Sequence, residues 1–281
     1  FKIPEVEAPD ITTDGVFKAL NAAGKSAASM DGWHPAELSL ASFEVARWIA
    51  ELFELIEEGA PWPEATTHAK VANLEKEGSQ PCEAMSYRPI TITAPIYRVW
   101  ASMRLKDLSE WISLWALPDM YAGIPGQGAT DAWYILFIEL ELDDLQGTPY
   151  CSGTADVHKS FDQIQRGSIY EAAAVGGIPK HILKAYTSMV ERLKAHNAIA
   201  GCIGKAHTRS CGIPHGCPLS MMFVALHMRP WLIEMHDRQI TAKILADDVI
   251  LIAKGENMLC DFPEALETTP KHLHDMGAKL A

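Results

Sequence analysis

The sequence lacks long apolar runs, paired cysteine motifs and an initiator methionine. No apolar run approaches the roughly 20 residues of a membrane-spanning helix, and the opening FKIPEVEAPD is not typical of a signal peptide. The 6 cysteines occur without CxxC pairs or Cys/His ligand spacing, which argues against structural zinc and favours reduced thiols in an intracellular protein. Because the chain opens at Phe1, we expect a fragment or a processed piece of a longer protein.

Basic charge is also scarce, and this bears on nucleic-acid binding. The 281 residues hold 24 Lys and Arg against 36 Asp and Glu, a net charge of −12, whereas nucleic-acid binders usually show a basic footprint. The balance is uneven, because residues 1–80 carry 14 acids and 6 Lys or Arg, while residues 178–210 carry 6 Lys or Arg and one acid. A second basic group comprises Arg88, Arg98, Arg104 and Lys106. Two basic segments could line a groove, or the charges could be scattered over solvated surface, and composition leaves both interpretations open.

Apolar periodicity predicts strands interleaved with helices, in one large domain or two modest ones. Helices are predicted at 14–20, 41–58, 96–114, 130–142, 170–174, 182–193, 222–235 and 264–276. Strands are predicted at 150–157, 242–246 and 249–253, with a strand leading into a turn at 71–78 and a hairpin at 195–210. The order shows no regular βαβ period, which favours an α+β fold over a doubly wound sheet.

The segment ILADDVILIA places Asp247 and Asp248 inside an otherwise apolar run. A buried, unpaired carboxylate is costly, so these acids must be solvated, paired or bound to a metal. Both flanks are typical of strands, which predicts a β-hairpin with the acids exposed at its tip. Taken alone, the segment is better explained as an ordinary Asp-rich turn, since turns select Asp for local hydrogen bonding.

Two other segments give the hairpin its context. In TADVHKSFDQI, Asp156 ends a predicted strand; in GIPHGCPLS, glycines and prolines shape a loop that can approach a ligand closely before a helix begins. A strand-end acid and a hairpin-tip pair can meet at one edge of a sheet, and three carboxylates in one place repel each other without a cation. Mg²⁺ prefers such oxygen ligands, and two ions roughly 4 Å apart can activate a hydroxyl and stabilise a leaving pyrophosphate.

Together, TADVHKSFDQI, GIPHGCPLS and LADDVILIA resemble motifs A, B and C of reverse transcriptases, in that order. YRPITITAPIYRVWASMRLKDL, DGWHPAEL and WPEATTHAKVANLEKEG resemble segments of the non-LTR retrotransposon class. The resemblance implies an α+β right-hand polymerase, with fingers in about 1–145, palm in about 146–281 and the thumb absent from this chain. It implies an RNA-directed DNA polymerase, with an RNA template, a DNA primer and deoxynucleoside triphosphates as partners and no membrane.

The resemblance also implies the residues of the metal site. Asp156 and Asp247 would be the principal ligands, Asp248 the third carboxylate and Val157 a further member. The cofactor would be Mg²⁺, as two ions, with Mn²⁺ able to substitute. The family further implies thumb and endonuclease domains elsewhere in a polyprotein and an intracellular, nuclear location.

Nucleotide contacts follow from the same resemblance. Arg88 would contact the triphosphate, with Lys76 as its companion or else only a surface lysine. Phe161 would pack under the sugar and exclude a 2′-hydroxyl, unless it is a core aromatic. The loop residues expected to shape the nucleotide and template pocket are Gly212, Pro214, His215, Gly216 and Ser220.

The sequence departs from the family at several positions. The family usually has Gln at His215, an aromatic residue at Leu245 and a basic residue near Gln127, and none of these is present. These departures favour one alternative, a degenerate relative that binds nucleic acid without polymerising; the three acids oppose it. A second alternative, a two-metal nuclease, explains the acids but neither GIPHGCPLS nor YRPI.

Overall fold

A computed structural model describes residues 6–24, 26–78, 83, 86–157, 160–275 and 277. The chain divides into two units, each made of separate segments. Among the described residues, the first unit comprises Ser109–Gly176 and those from Met221 onward, and the second comprises residues 6–108 and Gly177–Ser220. Residues 109–145 share a unit with all three aspartates. The division into fingers at about 1–145 and palm at about 146–281 stays a prediction.

Helices occur in both units, and several begin at recognisable caps. The long α3 starts after Ser42, whose side chain accepts a hydrogen bond from Val45 N at 3.3 Å, and it is followed by Gly59 with a φ of +122°. The helices are α1 (Thr13–Ala22), α2 (Pro35–Leu38), α3 (Phe43–Glu58), α4 (Pro95–Asp107), α5 (Ser109–Trp115), α6 (Ala129–Gln146), α7 (Ser160–Gln163), α8 (Arg166–Val175), α9 (Lys180–Arg192), α10 (Ser220–Asp237) and α11 (Met258–Asp275). No helix within the described ranges is both long enough and apolar enough to cross a membrane.

The strands form two sheets, one in each unit. They are β1 (His68–Glu75), β2 (Tyr87–Ile92), β3 (Tyr150–Asp156), β4 (Lys194–Ile199), β5 (Cys202–Ile203), β6 (His207–Thr208), β7 (Thr241–Leu245) and β8 (Asp248–Lys254). The sheet of the second unit has the order β2-β1-β4-β5, with β6 also pairing with β4; the sheet of the first unit has the order β3-β8-β7. The predicted hairpin at 195–210 is present as β4 with β5 and β6, but β4 also pairs in parallel with β1, which the sequence did not indicate.

The helix predicted at 96–114 is two helices, α4 and α5, separated at Leu108. The interruption coincides with the boundary between the two units. In α4, Tyr97 and Trp100 are buried in the second unit, whereas in α5, Trp111 and Trp115 are buried in the first.

Aromatic side chains and one buried ion cluster hold the second unit together. Trp62 is fully buried with its ring centroid 5.3 Å from Tyr97 and 5.4 Å from Trp100. Arg104 is 2% exposed and donates to both carboxylate oxygens of Glu57, at 2.7 and 2.6 Å. Burial would lower the pKa of Arg104, but its bonds to Glu57 and Asp107 outweigh this and raise it. Arg104 is therefore a structural residue and is not available to line a groove.

Candidate active site

The two adjacent aspartates lie at the tip of the β7–β8 hairpin. Leu245 pairs with Asp248, which leaves a two-residue loop of Ala246 and Asp247. Ala246 has a left-handed φ of +61° and Asp247 does not, the sign pattern of a type II′ turn. The predicted hairpin is therefore confirmed, with one correction: Asp248 is not in the turn but is the first residue of β8, because it continues the ladder with Leu245.

Asp156 lies directly opposite Asp248 across the β3–β8 pair. The amide of Val157 donates a hydrogen bond to the Asp247 carbonyl at 2.9 Å, so Val157 and Asp247 are a hydrogen-bonded pair. Because the two kinds of pair alternate along an antiparallel ladder, the adjacent Asp156–Asp248 pair is a non-hydrogen-bonded pair. Cβ atoms in opposed pairs are about 4.5–5.5 Å apart, and the non-hydrogen-bonded kind is the closer. The register thus brings two carboxylates together at the end of the sheet.

Both members of this pair are exposed and lie on the same face of the sheet. The opposite face is covered by α11: a Cβ added to Gly153 would lie 2.9 Å from the Phe262 ring. Like charges directly opposite each other destabilise a sheet unless something neutralises them. The pair is therefore suited to bind a cation.

The fit to Mg²⁺ rests on these two oxygen-donor groups, which are the ligand type that Mg²⁺ prefers. Within the parts of the chain that the structure describes, no three His, Cys, Asp or Glu side chains form a cluster able to hold a metal ion. Asp247 is half-buried in the loop, and its carbonyl is bonded to Val157. The convergence of all three carboxylates stays a prediction.

A buried lysine anchors the same hairpin, and the sequence reasoning missed it. Lys243 in β7 is 1% exposed, and its ammonium donates to Asp119 at 2.8 Å and to Glu139 at 2.9 Å. Burial would lower the pKa of Lys243, but the hydrogen bonds to the two carboxylates outweigh it and raise the pKa. The available signal was a single lysine in the apolar run AKIL, where a charge requires a partner.

The segment around Asp119 extends the anchor through the backbone. Ile244 N donates to the Asp119 carbonyl and Tyr121 N donates to the Ile244 carbonyl, each at 2.9 Å. His236 Nε2 also lies 3.3 Å from an Asp119 carboxylate oxygen. The strand leading to the aspartate tip is thus fixed on both sides, by β8 and by this segment.

The GIPHGCPLS loop belongs to the second unit and is fixed against β2 and α4. His215 Nδ1 lies 2.6 Å from the Pro89 carbonyl and so donates to it. A Cβ added to Gly216 would lie 2.2 Å from the Thr91 carbonyl oxygen, so only glycine permits this approach. The group that leaves no room for a side chain at this position is therefore the β2 backbone of the same unit.

The rest of the loop is held by a hydrogen bond within the loop and by a contact with Tyr97. Gly212 has a left-handed φ of +77°, and the buried Ser220 hydroxyl donates to the Pro214 carbonyl at 2.8 Å. Cys217 Sγ lies 3.0 Å from the Tyr97 hydroxyl, and burial raises the pKa of the Cys217 thiol. The loop is a fixed structural feature.

Lys76 and Arg88 lie close together on the β1–β2 pair. Arg88 pairs with Leu74, and the Lys76 amide donates to the Ser86 carbonyl at 2.8 Å, which continues the ladder past β1. The two basic residues are therefore diagonal neighbours on one face of the pair. Residues in such positions are separated by about 7–8 Å, and their Cβ atoms by somewhat less. Both are exposed. Phe161, in α7, belongs to the first unit and is half-buried.

Comparison with known proteins agrees with the sequence motifs. Residues 74–281 match the family described as "Reverse transcriptase (RNA-dependent DNA polymerase)". The chain belongs to the reverse transcriptase family. The matched residues include YRPI and all three motifs that carry Asp156, the GIPHGCPLS loop and the Asp247–Asp248 tip, so the family prediction is confirmed.

The reverse transcriptase domain is also similar to a retroelement protein. It is 19% identical over 229 residues to "RNA-directed DNA polymerase from mobile element jockey" of Drosophila melanogaster. The aligned region covers 77% of this chain and 24% of that relative, so the chain spans about a quarter of the relative's length. The mixed α and β architecture is consistent with a reverse transcriptase domain.

Proposed function

We propose that this domain carries the polymerase site of a retroelement and adds deoxynucleotides to a primer 3′-hydroxyl on an RNA template. The observation that carries the proposal is the cross-strand pair of Asp156 and Asp248 at the end of the sheet, inside the region that matches the family. Phosphoryl transfer requires chiefly alignment and charge neutralisation. A carboxylate pair exposed at a fixed sheet edge is suited to both.

Asp156, Asp247 and Asp248, together with Val157, would hold two Mg²⁺ ions, or Mn²⁺ in their place. When bound, such ions neutralise negative charge on the reacting phosphates and on the carboxylates themselves. The contribution of the chain is to fix the acids: β3 and β8 set their separation, and Lys243 holds the strand that leads to them. Removing either member of the opposed pair should therefore remove cation binding without removing the fold.

Basic and aromatic residues would recognise the incoming deoxynucleoside triphosphate. Arg88 and Lys76, exposed on one face of β1–β2, would neutralise the phosphates, and the planar guanidinium suits two phosphate oxygens at once. Phe161 would pack against the sugar. Gly216 and His215 would shape the pocket indirectly, because their contacts fix the loop to β2.

Primer extension on an RNA template at low salt tests this function. We expect Mn²⁺- or Mg²⁺-dependent extension that Asp156→Asn and Asp248→Asn abolish. Asp144→Asn, which changes an exposed acid on α6 of the same unit, is the matched control and should leave extension unchanged. Extension that survives both active-site substitutions would show that the pair is not catalytic.

A second candidate is a relative that binds nucleic acid without polymerising. Two observations favour it: no three-ligand metal cluster is formed within the described residues, and the family's usual Gln is replaced by His215, which bonds to Pro89. Fluorescence anisotropy with labelled RNA separates the candidates when run beside the extension assay. Salt-sensitive RNA binding by folded protein that extends no primer would decide for this second candidate.

A further inference from the structure

The helix α6 packs only one of its sides against the first unit. Ala132 and Leu136 are buried on that side, and Glu139 and Asp143 form ion pairs with Lys243 and Lys254 there, at 2.9 and 2.6 Å. These contacts fix the helix in place. Its other side faces solvent.

That outer side consists largely of apolar side chains. Tyr134 is 66%, Phe137 60% and Leu145 84% exposed, and with Ile138 they fall on one face at helical spacing. Trp133 flanks them and is 53% exposed, 6.3 Å from the Phe137 ring. Three rings more than half exposed present on the order of 350 Å². With Ile138 and Leu145 added, the patch lies in the upper part of the roughly 300–600 Å² range of the largest patches on monomers, which are often functional.

The exposed charges on α6 itself all have the same sign. Residues 107–157 contain no Lys, Arg or His, and the exposed charges of α6 are Asp131, Glu141 and Asp144. Such a surface repels nucleic acid and anionic lipid. It also repels the same face of a second copy, where acids would meet acids. Glu141 lies within the apolar stripe, between Phe137 and Leu145, and Asp131 and Asp144 lie beside it. Such a face complements an apolar helix that carries Lys or Arg.

We propose that the outer face of α6 is a docking surface for a basic amphipathic helix of a protein partner. Tyr134, Phe137, Ile138 and Leu145 would receive the partner's apolar side chains, in the way that grooves receive amphipathic helices. The distance from Tyr134 to Leu145 is about 16 Å along the axis, so the contact takes about three turns of the partner. Lys or Arg of the partner would meet Glu141 within the face and Asp144 beside it, which fixes orientation and makes binding sensitive to salt.

Two synthetic peptides of 18 residues test this chemistry with the full chain. Both carry the same Leu and Ile stripe at helical spacing; one has Lys at every flanking position and the other has Glu. We expect the Lys peptide to bind in fluorescence anisotropy at least tenfold more tightly than the Glu peptide. Hydrogen exchange should then show protection along α6.

Variants on the protein locate the surface. Tyr134→Ser combined with Phe137→Ser should weaken Lys-peptide binding at least tenfold while leaving the circular dichroism spectrum unchanged. Trp48→Ser, at a 56% exposed tryptophan on α3 of the second unit, is the matched control and should have no effect. Equal binding of both peptides, no binding of either, or equal weakening by Trp48→Ser would overturn the proposal. So would a dimer in sedimentation that the double variant abolishes, because the face would then belong to a second copy.

Discussion

The substitution Lys243→Met should destabilise the first unit substantially. Lys243 is 1% exposed, whereas its partners Asp119 and Glu139 keep 22% and 30% of their side-chain surface in water. Breaking a buried ion pair by removing one partner costs about 3–5 kcal/mol, because a buried charge is left uncompensated. The partial exposure of both carboxylates reduces this, so we expect a loss of about 2–4 kcal/mol in the free energy of unfolding.

A combined variant separates the charge effect from lost packing. Lys243→Met together with Asp119→Asn and Glu139→Gln removes all three charges, and methionine fills much of the lysine volume. Because the triple variant leaves no uncompensated charge in the cluster, we expect it to recover most of the loss. Urea unfolding followed by circular dichroism gives the free energy of each protein.

The control for this series is Lys18→Met. Lys18 pairs with Asp14 on α1, and its side chain is 75% exposed, so its substitution should cost less than about 0.5 kcal/mol. A loss below about 0.5 kcal/mol for Lys243→Met, or a triple variant no more stable than the single one, would refute the reasoning.

Three further predictions follow from individual contacts. Gly216→Ala places a Cβ 2.2 Å from a β2 carbonyl oxygen and should cost about 1–3 kcal/mol in thermal unfolding, whereas Gly167→Ala, with nothing within 4 Å, should not destabilise. Burial lowers the pKa of His272 in the folded protein. As the pH falls, the unfolded chain, with a histidine pKa of about 6.5, therefore takes up the proton before the folded protein does. The free energy of unfolding should thus decrease below that pH. His272→Gln should reduce the fall in melting temperature between pH 7.5 and 5.5, and His274→Gln, 89% exposed, should not. Phe161→Val should relax discrimination against ribonucleotides in primer extension; unchanged selectivity with a large loss of stability would identify a core aromatic instead.

The elements that sequence reasoning located are those with local signals. Alternating apolar residues and an adjacent acid pair predicted the β7–β8 hairpin, and Asp156 was correctly placed at the end of a strand. Apolar spacing likewise predicted α3, which starts at Phe43 after the Ser42 cap.

The contacts that sequence reasoning could not give depend on distant partners. The parallel pairing of His68 with Lys194 joins residues far apart in the chain, and no local pattern fixes that register. The burial of Lys243 depends on acids contributed by α6 and by the segment at Asp119. For Gly216 the need for a close approach was anticipated, but not that the approaching group is the β2 backbone.

The effect of Mn²⁺ on melting temperature tests the central claim, that Asp156 and Asp248 form a cation site. Without metal, the repulsion between the opposed carboxylates destabilises the wild type by about 0.2–1 kcal/mol. Asp248→Asn removes this repulsion, so it should melt at a slightly higher temperature than the wild type. With Mn²⁺, the melting temperature of the wild type should rise with the logarithm of the cation concentration once that concentration exceeds Kd. Asp248→Asn should not respond, and the control Asp144→Asn should respond fully. An equal Mn²⁺ response in Asp248→Asn and the wild type would contradict the account.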